Sequence, residues 1–372
     1  MAQISLAQTR SHGGNLWELM RHHRVSKNQI LDFSVDINPL GFPAVVRAVI
    51  LEHLDEIRYY PDPDAREFRN AIAAHHRIPI ETVLPGNGAA ELISLLARVH
   101  QVNKALIIVP TFGEYEWAMN QVGATTQFVR TTEASGFQPD LTQHDWPHLL
   151  DGVELVFLCN PNNPTGVAIA KEAVLELARR CREAGAWLIV DEAFVEFAEH
   201  PDAISVVSDA SQLEHVVVLR SLTKLFAIPG LRLGYVVASP IIVERLRALQ
   251  PAWPLNTFAL AVGVEVLQQF DYVARSRRLI TELRDELTRL LGTTPFLHPF
   301  PSVTNFLLCK LMDAEITSSA LCDQLAGQGL LLRNCDSFTG LESGRFIRVA
   351  VRTREENLQL ISAIYEVLNH AR

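Results

Sequence analysis

His215-Val216-Val217-Val218-Leu219-Arg220, running on into Ser221-Leu222-Thr223-Lys224-Leu225-Phe226-Ala227-Ile228-Pro229-Gly230-Leu231-Arg232, is the stretch from which the rest of the chain is read. The β-branched run predicts a buried strand, so Lys224 leaves a strand end into a cleft rather than into open solvent. An amine held in such a cleft is able to form an imine with a carbonyl. Arg232, eight residues further on, offers a planar fork for a phosphate, and the Ser221 and Thr223 hydroxyls add donors. Taken alone, an S-x-T-K run reads better as a surface lysine after a strand.

Working outward, short β-branched runs alternate with longer amphipathic ones, the pattern of a mostly parallel sheet covered by helices. Strands are predicted at 105–109, 125–129, 155–159, 187–190, 216–219 and 233–237, with a helix over 171–183 whose Val174, Leu177, Ala178 and Cys181 recur at helical spacing. A long helical stretch runs from Thr257 past Gln269 and, after a break near Asp271-Tyr272, on to Leu291. Beyond it, strands at 303–310, 330–333 and 345–351 and helices at 318–327 and 355–370 predict a second, smaller α/β domain. The expected division is an amino-terminal arm (1–45) joined to the small domain, a large domain (46–255), and an interdomain helix with the small domain (256–372).

Composition narrows the function. At 372 residues the chain exceeds one typical core, and Asp plus Glu outnumber Lys plus Arg by 42 to 33, giving a net charge of −9. With no dense basic run, a nucleic-acid partner is excluded, and no apolar run is long enough to span a bilayer. The first ten residues lack a basic-then-apolar leader pattern, so a cytoplasmic protein acting on a small molecule is expected. The five cysteines are scattered without C-x-x-C spacing, and the histidines form no metal-ligand pattern. No metal is therefore expected.

Four further segments carry candidate chemistry. Cys159-Asn160-Pro161-Asn162-Asn163-Pro164-Thr165-Gly166 follows a strand, and its turn aims Asn163, whose amide is able to donate to a ring oxygen. Trp187-Leu188-Ile189-Val190 ends in Asp191, which suits a carboxylate that keeps a pyridine nitrogen protonated and equally suits a helix N-cap. Gly88-Ala89-Ala90 opens a helix whose unpaired amides face an anion. Phe112, after another strand, is placed either to stack on an aromatic ring or to fill the core.

In this order, the glycine loop, the aromatic, N-N-P-T-G, strand-Asp and S-x-T-K with its arginine resemble the fold type I pyridoxal-phosphate enzymes of the aspartate aminotransferase superfamily over nearly the whole chain. The resemblance implies an α/β fold type I transferase with a large, mostly parallel sheet domain and a smaller α/β domain, active as a homodimer with shared sites. It implies pyridoxal 5'-phosphate bound with Lys224 as its Schiff-base lysine, Asp191 on the pyridine nitrogen, Asn163 on the ring oxygen and Phe112 stacked. Ser221, Thr223, Arg232 and the amides of Gly88, Ala89 and Ala90 hold the phosphate in that scheme, and Tyr60 reaches the neighbouring subunit's phosphate.

Within the superfamily the chain is similar to the branch that holds the histidinol-phosphate aminotransferases and the L-threonine-O-3-phosphate decarboxylases of cobalamin biosynthesis. The stretches Ser11-His12-Gly13-Gly14-Asn15 and 31–41, together with Phe194 where the aminotransferases usually carry Tyr, favour the decarboxylases. That resemblance implies a phosphorylated amino acid as substrate. Its carboxylate falls to Arg348, its phosphate to Arg333, His12 and Gly13, and Asn163 and Asp36 complete the substrate site. Asp36 departs from the pattern, which usually has Asn there, and a carboxylate beside an anionic substrate repels it unless protonated or paired. O-phospho-L-serine and histidinol phosphate are the alternative substrates.

Overall fold

Two of the predicted strands, 155–159 and 233–237, have the expected bounds, and four others extend by one or two residues. The computed structural model describes residues 13–14, 16–23, 26–99, 102–141, 145–312 and 315–370. Its strands are β1 (Leu31–Asp32), β2 (Val83–Asn87), β3 (Lys104–Val109), β4 (Thr125–Arg130), β5 (Leu155–Cys159), β6 (Trp187–Asp191), β7 (Val216–Ser221), β8 (Leu233–Val237), β9 (Leu297–Pro299), β10 (Phe306–Leu311), β11 (Leu330–Leu331), β12 (Arg333–Asn334) and β13 (Phe346–Ala350).

Seven of them form one sheet in the order β2-β8-β7-β6-β5-β3-β4. Strands β7, β6, β5, β3 and β4 are parallel, whereas β8 runs antiparallel to both β7 and β2. The near-continuous apolar runs have a direct cause: successive side chains point to opposite faces, and both faces are covered. Leu106, Ile108, Val156, Leu158, Leu188, Val190, Val216 and Val218 join one core cluster, with Val174 and Leu177 of the helix Lys171–Glu183. The alternate residues Ala105, Ile107, Val109, Leu155, Phe157, Ile189, Val217 and Leu219 join the other, with Leu92 and Leu96 of the helix Ala89–Val99.

The sequence pattern missed β2, because Pro85 and Gly86 interrupt it. The structure resolves the conflict by placing β2 at the sheet edge, where a residue without an N–H is tolerated. A four-stranded antiparallel sheet, β12-β13-β10-β9, builds the smaller unit. The run expected as one strand over 330–333 is two: Leu330 and Leu331 pair with β1, while Arg333 turns to pair with Arg348 of β13. The first of these pairings, with Phe33 N–H donating to the Leu331 carbonyl at 2.8 Å and Ala350 N–H to the Phe33 carbonyl at 2.9 Å, fastens the segment after residue 30 to the small sheet. The expected long helical stretch is two helices, Thr257–Val266 and Phe270–Gly292.

Candidate active site

Strand direction brings the candidate residues together. Because β2, β3, β5, β6 and β7 run the same way, their carboxyl ends share one edge, and antiparallel β8 begins at that edge. Gly88 follows β2, Phe112 follows β3, Asn163 follows β5, Asp191 ends β6, Ser221 ends β7 with Lys224 three residues on, and Arg232 immediately precedes β8. Clefts of open α/β sheets form at this edge.

One end of the cleft gathers groups able to receive an anion. Gly88 has φ +76°, and a Cβ there would lie 2.6 Å from Nη2 of Arg232, so the guanidinium rests on the glycine backbone. The helix Ala89–Val99 starts at the next residue and presents its unpaired amides. Ser221 Oγ and Thr223 Oγ1 lie 2.8 Å apart. Gly234 lets β8 approach, since a Cβ there would meet the Arg220 carbonyl oxygen at 2.8 Å and the Ala89 nitrogen at 3.2 Å. Replacing Gly88 by Ala displaces Arg232 and strains the backbone. Gly88→Ala is expected to weaken pyridoxal phosphate binding about tenfold, equivalent to ~1.4 kcal/mol, while pyridoxal without its phosphate binds unchanged; fluorescence titration with both compounds checks this.

At the centre, Asp191 is buried and holds two donors: Tyr115 Oη donates to Oδ2 at 2.7 Å and Ala193 N–H to Oδ1 at 3.0 Å. Burial raises the pKa of Asp191, against the lowering by those two hydrogen bonds. A cationic partner is what such a carboxylate lacks. The loop behind it is fixed by Arg220, whose guanidinium lies 2.9 Å from Glu192 and 2.8 Å from Glu196. Cys159 is no nucleophile, because burial first and Asp191 second push its thiol up to about 12.

Lys224 is half-buried, and burial lowers its pKa; Asp36 opposes that shift, while Arg348 and Arg232 add to it. Its amine is therefore more readily neutral, and nucleophilic, than a free lysine. Beyond it, Arg348 donates from Nη1 to Asn163 Oδ1 and from Nη2 to the Ser34 carbonyl at 2.9 Å. The same Nη2 lies 2.8 Å from Asp36 Oδ1, and the guanidinium sits over Phe306 at 4.9 Å. With Oδ1 of Asn163 turned to Arg348, its amide nitrogen is left to donate elsewhere. Phe194 meets Phe306 edge-on at 5.0 Å and brings no hydroxyl to this wall. Arg333, directly opposite Arg348 in the β12–β13 register, is buried, donates to Ser337 Oγ at 2.6 Å and lies over Phe338 at 5.0 Å.

Gly13 reaches this region: its Cβ would fall 2.1 Å from the Ser34 carbonyl oxygen, and Gly14 N–H donates to Ser34 Oγ at 2.7 Å. His12 lies outside the described residues. Phe112 stands at the strand end, edge-on to Tyr115 at 5.7 Å. Tyr60 is not brought to this chain's cleft; it is 79% exposed and stacks on Trp253 at 4.5 Å. Sequence reasoning missed Tyr115 and Ser34, three residues past Phe112 and two past β1. Only the fold puts Tyr115 under Asp191, and only the arm's turn, with Asp32 Oδ1 accepting from Ser34 Oγ at 2.6 Å, puts the Ser34 carbonyl on Arg348.

The set fits pyridoxal 5'-phosphate: a cradle that a Cβ at Gly88 would fill, a buried carboxylate whose partners among the described residues are the neutral donors Tyr115 and Ala193, and a lysine of lowered proton affinity lie along one edge. Among the described residues no group of three or more His, Cys, Asp or Glu is placed to hold a metal ion, and no helix is long and apolar enough to cross a membrane.

Comparison with known proteins agrees in kind. The family model for aminotransferase class I and II matches residues 28–364. The chain is similar to the threonine-phosphate decarboxylase of Salmonella typhimurium strain LT2, at 36% identity over 359 residues covering 96% of each protein. It is similar to the histidinol-phosphate aminotransferase of Methanopyrus kandleri at 32% identity, covering 94% of this chain and 91% of that protein. Among solved structures, the histidinol-phosphate aminotransferase from Clostridium acetobutylicum superposes with a TM-score of 0.83 and 31% identity, over 92% of this chain and 100% of that one.

Proposed function

We propose, for a chain that belongs to the aminotransferase class I and II family, that it binds pyridoxal 5'-phosphate through Lys224 and decarboxylates L-threonine O-3-phosphate. The products are CO2 and (R)-1-aminopropan-2-ol O-phosphate, and the setting is cobalamin biosynthesis. The observation that carries this reading is the pairing of Arg333 and Arg348 across one register position beside Lys224 and Asn163. Two guanidiniums side by side suit a small substrate with two anionic groups, a carboxylate and a phosphate. The 36% identity to a threonine-phosphate decarboxylase over 96% of each chain supports the same substrate class.

When bound, the cofactor supplies a conjugated, electron-withdrawing ring that draws off the electrons of whichever α-carbon bond stands perpendicular to it. The protein's share is orientation and proton transfer. Arg348 grips the carboxylate and Arg333 the phosphate, and two fixed points on one molecule determine which bond is perpendicular. Asp191 would keep the ring nitrogen protonated, Asn163 would donate to the ring oxygen, and Gly88, Ala89, Ala90, Ser221, Thr223 and Arg232 would hold the phosphate, with Phe112 beside the ring. Lys224 Nζ would be placed to return a proton to the α-carbon after CO2 has left.

A homodimer belongs to the proposal. Leu51, Leu54, Ile57, Tyr59 and Tyr60 are all about half exposed or more, an apolar stretch that a second copy would cover, and Tyr60 would then reach the partner's phosphate. Amino transfer is the second reading, supported by the 32% identity to a histidinol-phosphate aminotransferase and by the Asp36–Arg348 pair, which already occupies the fork a carboxylate needs.

Incubating cofactor-loaded protein with O-phospho-L-threonine and measuring CO2 separates the two. Stoichiometric CO2 is expected, with O-phospho-L-serine about 10- to 200-fold less efficient for want of one methyl group. Rapid amino transfer to 2-oxoglutarate without CO2 would assign the chain to the aminotransferases instead.

A further inference from the structure

We propose that Asp36 is a specificity-determining residue, a built-in counter-ion seated on Arg348 with which an incoming carboxylate must compete, so that the site holds carboxylated and carboxylate-free phosphate esters with similar strength. The proposal rests on the reading of this cleft as a substrate site for amino-acid phosphates and names what sets its selectivity.

Three observations carry it. Asp36 and Arg348 are both buried, with side chains 3% and 6% exposed, and their closest atoms are 2.8 Å apart. The contact is close in distance but poorly aligned: among the described residues, Asp36 Oδ1 and Arg348 Nε are both buried without a hydrogen-bond partner. A pair packed this tightly and satisfied this incompletely is ready to exchange one partner for a better-aligned one. Asp36 is also anchored independently of Arg348, because its carbonyl accepts from Asn305 Nδ2 at 2.9 Å. Its backbone therefore stays beside Arg348 when a ligand arrives.

A substrate carboxylate that reaches Arg348 therefore meets a second carboxylate on the same guanidinium. Most of the other donors are already engaged, Nη1 by Asn163 Oδ1 and Nη2 by the Ser34 carbonyl as well as Asp36, which leaves Nε as the donor without a partner among the described residues. Like charges sharing one cation oppose each other, and part of the carboxylate's attraction to Arg348 is cancelled. A ligand with a hydroxymethyl or hydrogen in place of the carboxylate leaves the Asp36–Arg348 pair intact and loses nothing. Asn at this position would supply an amide donor where Asp36 supplies a charge. One consequence for the proposed reaction is that the amine product, lacking the carboxylate, remains a competitive ligand.

The test uses two ligands that lack an amine and so do not react with the cofactor: 3-phosphoglycerate, with a carboxylate and a phosphate, and glycerol 3-phosphate, with a hydroxymethyl group in the carboxylate's place. Their affinities are measured by calorimetry on cofactor-loaded protein, for the natural chain, Asp36→Asn and Asp36→Ser. The natural chain is expected to bind the two within about threefold of each other, and both variants to bind 3-phosphoglycerate at least tenfold more tightly with glycerol 3-phosphate changed by less than about twofold. An affinity ratio that either variant leaves unchanged overturns the proposal, and so does 3-phosphoglycerate binding too weak to detect in all three proteins. The measurement needs no CO2 release, so a protein that fails the decarboxylation assay and still shows the shift refutes the reaction and not the role of Asp36.

Discussion

Lys224→Ala is expected to eliminate the covalent adduct that borohydride traps between the protein and pyridoxal phosphate, and to lower turnover by about 10²- to 10⁴-fold, the range associated with a lost proton-transfer group. The loss of the adduct follows from the site. Lys224 Nζ is the amine at the strand-end edge that also carries Gly88, Arg232 and Asp191, and burial lowers its proton affinity. The substitution is expected to leave the fold intact. The Lys224 carbonyl still accepts from Asn38 N–H at 3.1 Å, and that backbone contact does not involve the side chain.

Stability of the cofactor-free protein should hold or rise, with a sign fixed by linkage. The folded state lowers the pKa of Lys224 from its ordinary 10.5, so the unfolded chain binds more protons between the two values and the group costs stability below them. Alanine removes that cost. Denaturant unfolding of cofactor-free protein at neutral pH, together with mass spectrometry after borohydride, checks both halves. An adduct of undiminished yield in the variant would remove Lys224 from its role.

How far the sequence carries the reading depends on whether a feature is local. The helix Lys171–Glu183 and strands β5 and β8 were legible to the residue, because each is a continuous run whose period matches its structure. So were the motif residues that sit at strand ends, since parallel strands bring their carboxyl ends to one edge by direction alone. Strand β2 was not legible: its Pro85 and Gly86 break the pattern, and what permits them is an edge position that local sequence does not encode. The same holds for Leu332, where the chain passes from one sheet to another because Leu331 pairs with Asp32 and Arg333 with Arg348.

In the site, the unpredicted contacts that assemble the cleft join residues far apart in the chain. Tyr115 meets Asp191 across 76 positions, and Arg348 meets Ser34 across 314. Asp36 is the instructive case. The sequence raised the need for a partner for its charge, and the fold supplies Arg348, the residue the resemblance assigns to the substrate carboxylate. A question visible in one residue was answered by another that no spacing rule connects to it.

Asp191→Asn is expected to separate cofactor binding from stability. Truncating one member of a buried, hydrogen-bonded charge pair costs about 2–5 kcal/mol, so affinity for pyridoxal phosphate should fall by at least ~30-fold. The cofactor-free protein should not suffer in parallel. The Asn side chain keeps an acceptor for Ala193 N–H, and its amide is able to donate to Tyr115 Oη, a hydroxyl that both donates and accepts. What disappears is a carboxylate whose pKa burial raises above its ordinary 3.8. A raised carboxylate pKa means that the folded state binds more protons, so its contribution is favourable at low pH and is lost as pH climbs through the raised value. The cofactor-free natural chain should therefore lose stability relative to Asp191→Asn between acid and neutral pH, with the difference vanishing in acid. Adding the cofactor reverses the order at neutral pH, because a protonated ring nitrogen returns the charge that Asp191 lacks when alone. Thermal unfolding of both proteins across pH, with and without pyridoxal phosphate, reads all four arms; an Asn variant that binds the cofactor as tightly as the natural chain would exclude Asp191 as the partner of the ring nitrogen.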